Sequence, residues 1–290
     1  MLKFGKGLSL AALALFALTA SSFTSQLSAQ SVTSQLASES VIEIIKKRGA
    51  MRVGVATFVP WSFVGTSGDL IGFEIDVAKK VAKDSGWELE LVQTKFDGII
   101  PGLLAAKFDT VITGMGLTPK RNQTINFTIP YEWYGPGIVA NKKLAKGWKT
   151  FEDANKPDVI FSMRRGTFYT DAMKEVFPKA QFIFFDDDSE VFQEIINGKA
   201  HATITVEPKP TFYAIGNPET LYQPWKGFSP IPSTPSGFAL RKGDPDAVNY
   251  FNNWIIQRQR DGWLQSRFDF WFTTDGWFGD IENNPYLPKK

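Results

Sequence analysis

Short apolar runs of strand type alternate with stretches of helical period along most of this chain, and the alternation occurs twice. Met51 to Ala56 reads as a strand, and Asp69 to Ala82 passes from a turn into a helix with Ile75, Ala78, Val81 and Ala82 on one face, ended by Gly86. Glu88 to Gln93 alternates as a strand, Asp97 to Ala106 reads as a helix, and Thr110 to Thr113 is another apolar strand. The pattern restarts after residue 140. Val159 to Met163, Phe182 to Phe185 and Ala202 to Val206 are strand-like, with helices predicted over Thr170 to Val176 and Ser189 to Gly198. Parallel strands need long crossover connections, so repeated strand-helix-strand units predict an α/β fold with two mainly parallel sheets flanked by helices.

Two stretches join these units. Residues 127–137 (Phe127-Thr128-Ile129-Pro130-Tyr131-Glu132-Trp133-Tyr134-Gly135-Pro136-Gly137) lie between them, and Pro230, Pro232, Pro235 and Gly237 follow the second. Both read as connectors. Asp246 to Phe270 is an aromatic-rich helical region that needs a large partner surface and is expected to pack back on the first unit. A short helix with Ser40 and Glu43 as a capping box opens the fold. The expected organisation is residues 43–130 plus 237–290 as lobe 1, 138–230 as lobe 2, and 131–137 with 231–236 as a hinge. Two lobes joined by two crossings predict a cleft at strand C-terminal ends.

Composition narrows the function. Among 290 residues, 32 are Lys or Arg and 30 are Asp or Glu. The first 29 residues carry Lys3 and Lys6 and no acid, so the remainder balances and lacks the basic excess of a nucleic-acid binder. Cysteine is absent and His201 is the single histidine, which removes thiolate catalysis, Cys-linked lipid anchors and multi-His metal sites. No cofactor is implied. Lys3 and Lys6 precede an apolar stretch, Leu10 to Leu18, too short to span a bilayer; residues 1–29 read as a secretory signal peptide with cleavage after Ala29. The expected location is the periplasm, with no lipid anchor.

Two strand-to-helix loops carry candidate chemistry. In Thr113-Gly114-Met115-Gly116-Leu117-Thr118-Pro119-Lys120-Arg121 a buried strand opens through glycines into a helix start, with Thr118 as cap and Pro119 at the first position. Arg121, one turn on, offers a planar fork suited to a carboxylate. Arg164-Arg165-Gly166-Thr167-Phe168-Tyr169 also leaves a strand and enters a helix. One loop from each lobe is expected to grip a single carboxylate, with closure bringing Thr167 towards Arg121.

These loops, with Met51 to Val55, Pro60-Trp61-Ser62-Phe63, Ile71 to Ala78, Phe96 to Leu103 and Gly237 to Asp244, resemble the bacterial periplasmic amino-acid-binding proteins of ABC importers, over residues 43 to 272. The resemblance implies a two-lobe periplasmic-binding-protein fold that closes on a small-molecule ligand and docks on a membrane ABC permease. By the same resemblance Arg121 is the carboxylate-binding arginine, Gly116 and Thr167 are further donors, and Thr113 and Gly114 receive an amino group through their backbones. Phe58, Trp61 and Phe96 correspond to an aromatic wall, although Trp61 and Phe63 also fit simple core positions.

The departures bear on the ligand. Val55-Ala56-Thr57 stands where the family usually carries an acid after the first strand, and Val206 replaces the usual ammonium-binding aspartate; Glu207 follows it. An ammonium buried without a negative partner is costly. Either Glu207 turns in, or the ligand lacks a conventional amine; Glu207 also fits a solvated loop acid before Pro208. The expected ligand is an amino acid with an aromatic or apolar side chain, the alternative a carboxylate without an amino group. A cyclohexadienyl-dehydratase-like enzyme on the same fold is the third reading, with Glu207 as the nearest acid but no convincing general-acid environment. Asp186-Asp187-Asp188 lacks the ladder of a calcium loop and complements the dipole of the helix that follows.

Overall fold

The computed structural model describes residues 40–225, 231–282 and 284–287. The expected signal peptide and residues 226–230 of the second connector lie outside the described residues. Helix α1, Val41–Arg48, belongs to a compact unit of its own; the Ile42 amide donates to Ser40 Oγ at 3.3 Å, whereas the Glu43 carboxylate is bound by Lys46 at 2.8 Å.

Residues 49 onward form the second unit. Its elements are β1 Ala50–Val55, β2 Phe63–Val64, β3 Leu70–Ile71, α2 Phe73–Ser85, β4 Glu88–Gln93, α3 Ile99–Leu104, β5 Thr110–Val111, α4 Pro119–Asn122, β6 Asn126–Phe127, β7 Glu132–Tyr134 and β8 Pro136–Asn141. There follow β9 Ile160–Arg164, α5 Tyr169–Val176, β10 Gln181–Phe185, α6 Asp188–Ile196, β11 Ala202–Val206 and α7 Lys209–Gly216. The chain ends through β12 Leu221–Tyr222, β13 Thr234–Ser236, β14 Ala239–Leu240, α8 Pro245–Arg260 and α9 Trp263–Thr273.

Two five-stranded sheets result, in the orders β4-β1-β5-β14-β6 and β10-β9-β11-β8-β12. In each, three parallel strands are extended by two more through successive antiparallel pairings. This is the expected two-lobe α/β architecture. The chain leaves the first sheet after β6 and returns to it at β14, and the crossings pair with each other as the antiparallel ladder β7–β13, with Glu132 opposite Ser236 and Tyr134 opposite Thr234.

Several expectations are corrected. The turn expected before the helix at Phe73 includes a short strand, residues 70–71, paired with β2 as a hairpin. The region from Asp246 to Phe270 is two helices, broken at Gly262, whose φ of 78° no right-handed helix continues. The first connector contains β7 and runs into β8, whose residues are all buried.

The segment after α9 ties the two halves together. Trp277 is fully buried, its ring 5.7 Å from Phe63 and 5.9 Å from Phe212 on α7, and the Thr66 amide donates to Asp280 O at 2.9 Å. Further on, Tyr286 is 1% exposed and packs 5.2 Å from Tyr213, while Asn217 Nδ2 donates to Pro285 O at 3.2 Å. Deleting a buried aromatic ring removes its transfer energy and leaves a cavity. Tyr286→Ala is therefore expected to lower the unfolding free energy by about 3 kcal/mol, read as a lower urea midpoint at unchanged m.

Candidate functional site

Thr113 follows β5, and its hydroxyl is fixed at the neighbouring strand end, accepting from the Ala56 amide at 2.9 Å and donating to Ala56 O at 3.3 Å. The backbone then turns through Gly114 at φ 61°, where a Cβ would stand 3.0 Å from the Trp61 ring, so only glycine fits without strain. Gly114 N–H donates to the Glu74 carboxylate and Gly114 O accepts from the Tyr134 hydroxyl at 2.6 Å. Thr118 caps α4 by accepting from the Arg121 amide, and Pro119 occupies the first turn.

A narrow pocket lies between the two sheets, with free space for little more than one water molecule. Phe58, Phe96, Thr113, Gly114 and Gly116 line it from the first half, and Arg164, Thr167, Phe168, Tyr169 and Val206 from the second. Tyr134, on the crossing, completes the wall. Six of the nine residues singled out from the sequence thus meet at one cavity. No lining residue is acidic.

The other three sit elsewhere. Arg121 stands beside the cavity: Nη1 donates to Gly116 O at 2.7 Å and Nη2 to Gly166 O at 3.0 Å, so one guanidinium joins a carbonyl of each half. Its carbon lies 5.6 Å from the Phe96 ring centroid, and burial lowers its pKa. Trp61 lies behind the wall, fully buried, with Nε1 donating to both oxygens of Glu132 at 3.1 Å and its ring 4.7 Å from Phe58. It supports Phe58 and does not reach the cavity, because its only polar atom is drawn to the buried carboxyl. Glu207 is also turned away, accepting from Thr211 Oγ1 and Gln223 Nε2, each at 2.8 Å. Thr167 lines the cavity, but its hydroxyl donates to Arg164 O at 3.1 Å; Arg121 reaches the adjacent Gly166.

The halves are held close. Lys95 meets Asp186 and Lys120 meets Asp171, each at 2.6 Å, and a Cβ on Gly166 would stand 3.1 Å from Asp97 Cα. These exposed pairs each add little; together they describe a closed cleft.

Sequence reasoning passed over Arg164 and Lys209, the two buried cations of the second half. Arg164 ends β9, 4% exposed, between the Phe58 and Phe96 rings at 5.4 and 5.2 Å. Lys209 opens α7, ion-paired with Asp188, and its Nζ lies 3.8 Å over the Phe58 ring. Burial pulls the Lys209 pKa down to about 8, and the Arg164 charge pulls the same way.

Beneath the cavity lie two buried carboxyls. Glu74, on the first turn of α2, accepts from Tyr131 Oη at 2.6 Å, and Glu132, on β7, is hydrogen-bonded to it. Burial raises both pKa values, Glu74 to about 7 against the hydrogen bonds from Tyr131, Glu132 and the Gly114 amide that lower it, while the Glu74 charge raises Glu132 further. Tyr131 and Tyr134 pack against them and stay protonated, their own pKa values raised by burial. A carboxyl with a raised folded pKa stabilises fully below its unfolded value of 4.5 and loses that contribution as pH rises through about 7. Melting temperature is therefore expected to fall between pH 5 and pH 8, and Glu132→Gln, which keeps one neutral donor in place, is expected to flatten that fall.

Comparison with known proteins follows the geometry. Residues 51–274 match the family model of bacterial extracellular solute-binding proteins, family 3. The L-cystine-binding protein TcyJ of Escherichia coli K12 is 30% identical over 232 residues, 80% of this chain and 85% of that protein. The crystal structure of AncCDT-1, an ancestral amino acid-binding protein and precursor of cyclohexadienyl dehydratase, is 40% identical with a TM-score of 0.72, covering 80% of this chain and 99% of its own. A putative ABC-transporter binding component from Wolinella succinogenes, complexed with lysine, is 35% identical with a TM-score of 0.73, covering 79% and 98%.

Proposed function

Because the chain belongs to family 3 of the bacterial extracellular solute-binding proteins, we propose that it captures an amino acid or a closely related carboxylate between its two halves and delivers it to a membrane ABC permease. Residues 1–29 direct export, and the mature protein works in the periplasm. Residues 131–137 and 231–236 act as the hinge, carrying a lobe built on the β1 sheet against one built on the β9 sheet. Binding, not bond-making, is the activity.

The observation that carries this reading is Arg121, whose fork joins Gly116 O on one side to Gly166 O on the other at the edge of the cavity. A guanidinium has five N–H donors, and these contacts use two. A ligand carboxylate entering beside it takes further donors and adds to a contact that exists only when the halves are closed, which is how a ligand shifts a population towards closure. Phe58 and Phe96 offer apolar faces to the rest of the ligand. A carboxylate without an amine is the second reading, favoured by the absence of any acid from the cavity wall and by Glu207 being tied to Thr211 and Gln223.

Thermal-shift screening of L-amino acids beside their deaminated acids tests this. A ligand at 100 times its Kd adds about 2.7 kcal/mol of stability, so a binder is expected to raise the melting temperature by several degrees, and Arg121→Ala is expected to abolish the rise. Unchanged affinity in that variant, measured by calorimetry, refutes the site.

A further inference from the structure

The cavity wall holds a cation without a counterion. Arg164 is 4% exposed, its Nε has no hydrogen-bond partner, and among the described residues no carboxylate forms an ion pair with its guanidinium. Its neighbours in the cavity are the Phe58 and Phe96 faces, 5.4 and 5.2 Å from the guanidinium carbon. Aromatic faces attract a cation but offer no lone pairs to its N–H donors. Asp188, an acid of the same half, is committed to Lys209. A guanidinium buried in this way is costly unless an anion joins it, and the cavity it faces is where an anion can arrive.

Arg121 lies against the same Phe96 ring, 5.6 Å from its centroid. Two guanidinium groups thus flank one phenyl face beside one small cavity. We propose that the ligand carries two acid groups, one held by Arg121 and the other by Arg164: a small dicarboxylate of net negative charge, its short apolar body against Phe58 and Phe96. The inference rests on the reading of Arg121 as a carboxylate clamp and extends it to the far end of the ligand. It also accounts for Val206 on the wall, since a dianion needs no acid there. Cationic amino acids are excluded by like charge.

Isothermal titration with the straight-chain dicarboxylates from malonate to adipate, with L-aspartate and L-glutamate, and with L-glutamine, butyrate and L-lysine as controls tests this. At least one diacid is expected to bind at least tenfold more tightly than its monocarboxylate counterpart, and the amino and deaminated diacids report whether an amine is tolerated. Removing the partner of a buried anion is expected to weaken that diacid on the order of 100-fold in Arg164→Gln, at least tenfold more than the same variant weakens its monocarboxylate counterpart. Arg164→Lys, which keeps the charge without the fork, is expected to fall between. Monocarboxylates or L-lysine binding as tightly as every diacid, or diacid affinity surviving Arg164→Gln, overturns the proposal. If a monocarboxylate binds and Arg121→Ala abolishes it, carboxylate capture stands and only the second subsite falls. If neither class binds the wild-type protein, both fall together.

Discussion

The two passages of the chain between its sheets are hydrogen-bonded to each other, and the cavity's geometry depends on that pairing. With Tyr134 opposite Thr234 and Glu132 opposite Ser236, β7 and β13 run as one antiparallel ribbon across the boundary. The ribbon is anchored in the first half: Tyr134 Oη reaches Gly114 O at 2.6 Å and Ser236 Oγ at 2.5 Å, and the Leu117 amide donates to Pro235 O at 2.8 Å. The loop that presents Gly114 and Gly116 to the cavity is thereby bonded to the element that connects the halves.

The same junction explains the placement of Trp61. An indole N–H buried without an acceptor is costly, and here the carboxyl oxygens of Glu132 accept it. Glu132 is buried because β7 must pass under the cavity, and it shares its environment with Glu74, which receives Tyr131 and the Gly114 amide. Trp61, two glutamates and two tyrosines therefore form one buried polar network. Its role is to hold Phe58 and Gly114, and no member of it lines the cavity except Tyr134.

Much of this was legible in the chain. The alternation of periods gave the parallel core of both sheets, since Val53, Val55 and Val111 in one and Phe161, Met163 and Ile204 in the other are buried as their patterns imply. The antiparallel additions were not. Strands as short as β6 and β14, two residues each, are below the length at which periodicity exists, and β8 is masked by Pro136 and Gly137, which read as turn residues. Helix α7 hides behind Pro208 and Pro210 in the same way. Within the site, loops leaving strands could be placed, but the direction of a side chain could not. Arg164 was placed in its loop but not singled out; the one hint was its alternation with Ser162 on a buried strand, where both polar residues share a side.

Charge balance across the boundary links the fold to the ligand. The second half contributes Arg164 and Lys209, and Asp188 is paired with the lysine. Glu207, adjacent to Val206, is held by Thr211 and Gln223, and its amide donates to Gly135 O at 2.9 Å, so turning its carboxylate inward breaks two side-chain hydrogen bonds near the crossing. The first half brings Arg121 and, beneath the wall, two carboxyls whose pKa values burial raises, Glu74 to about 7, so that they present little net negative charge below neutral pH. Closing the halves thus concentrates positive charge around a small apolar space. Such closure is self-repelling until an anion fills it, and the occupant that relieves most repulsion is one with an acid group for each guanidinium.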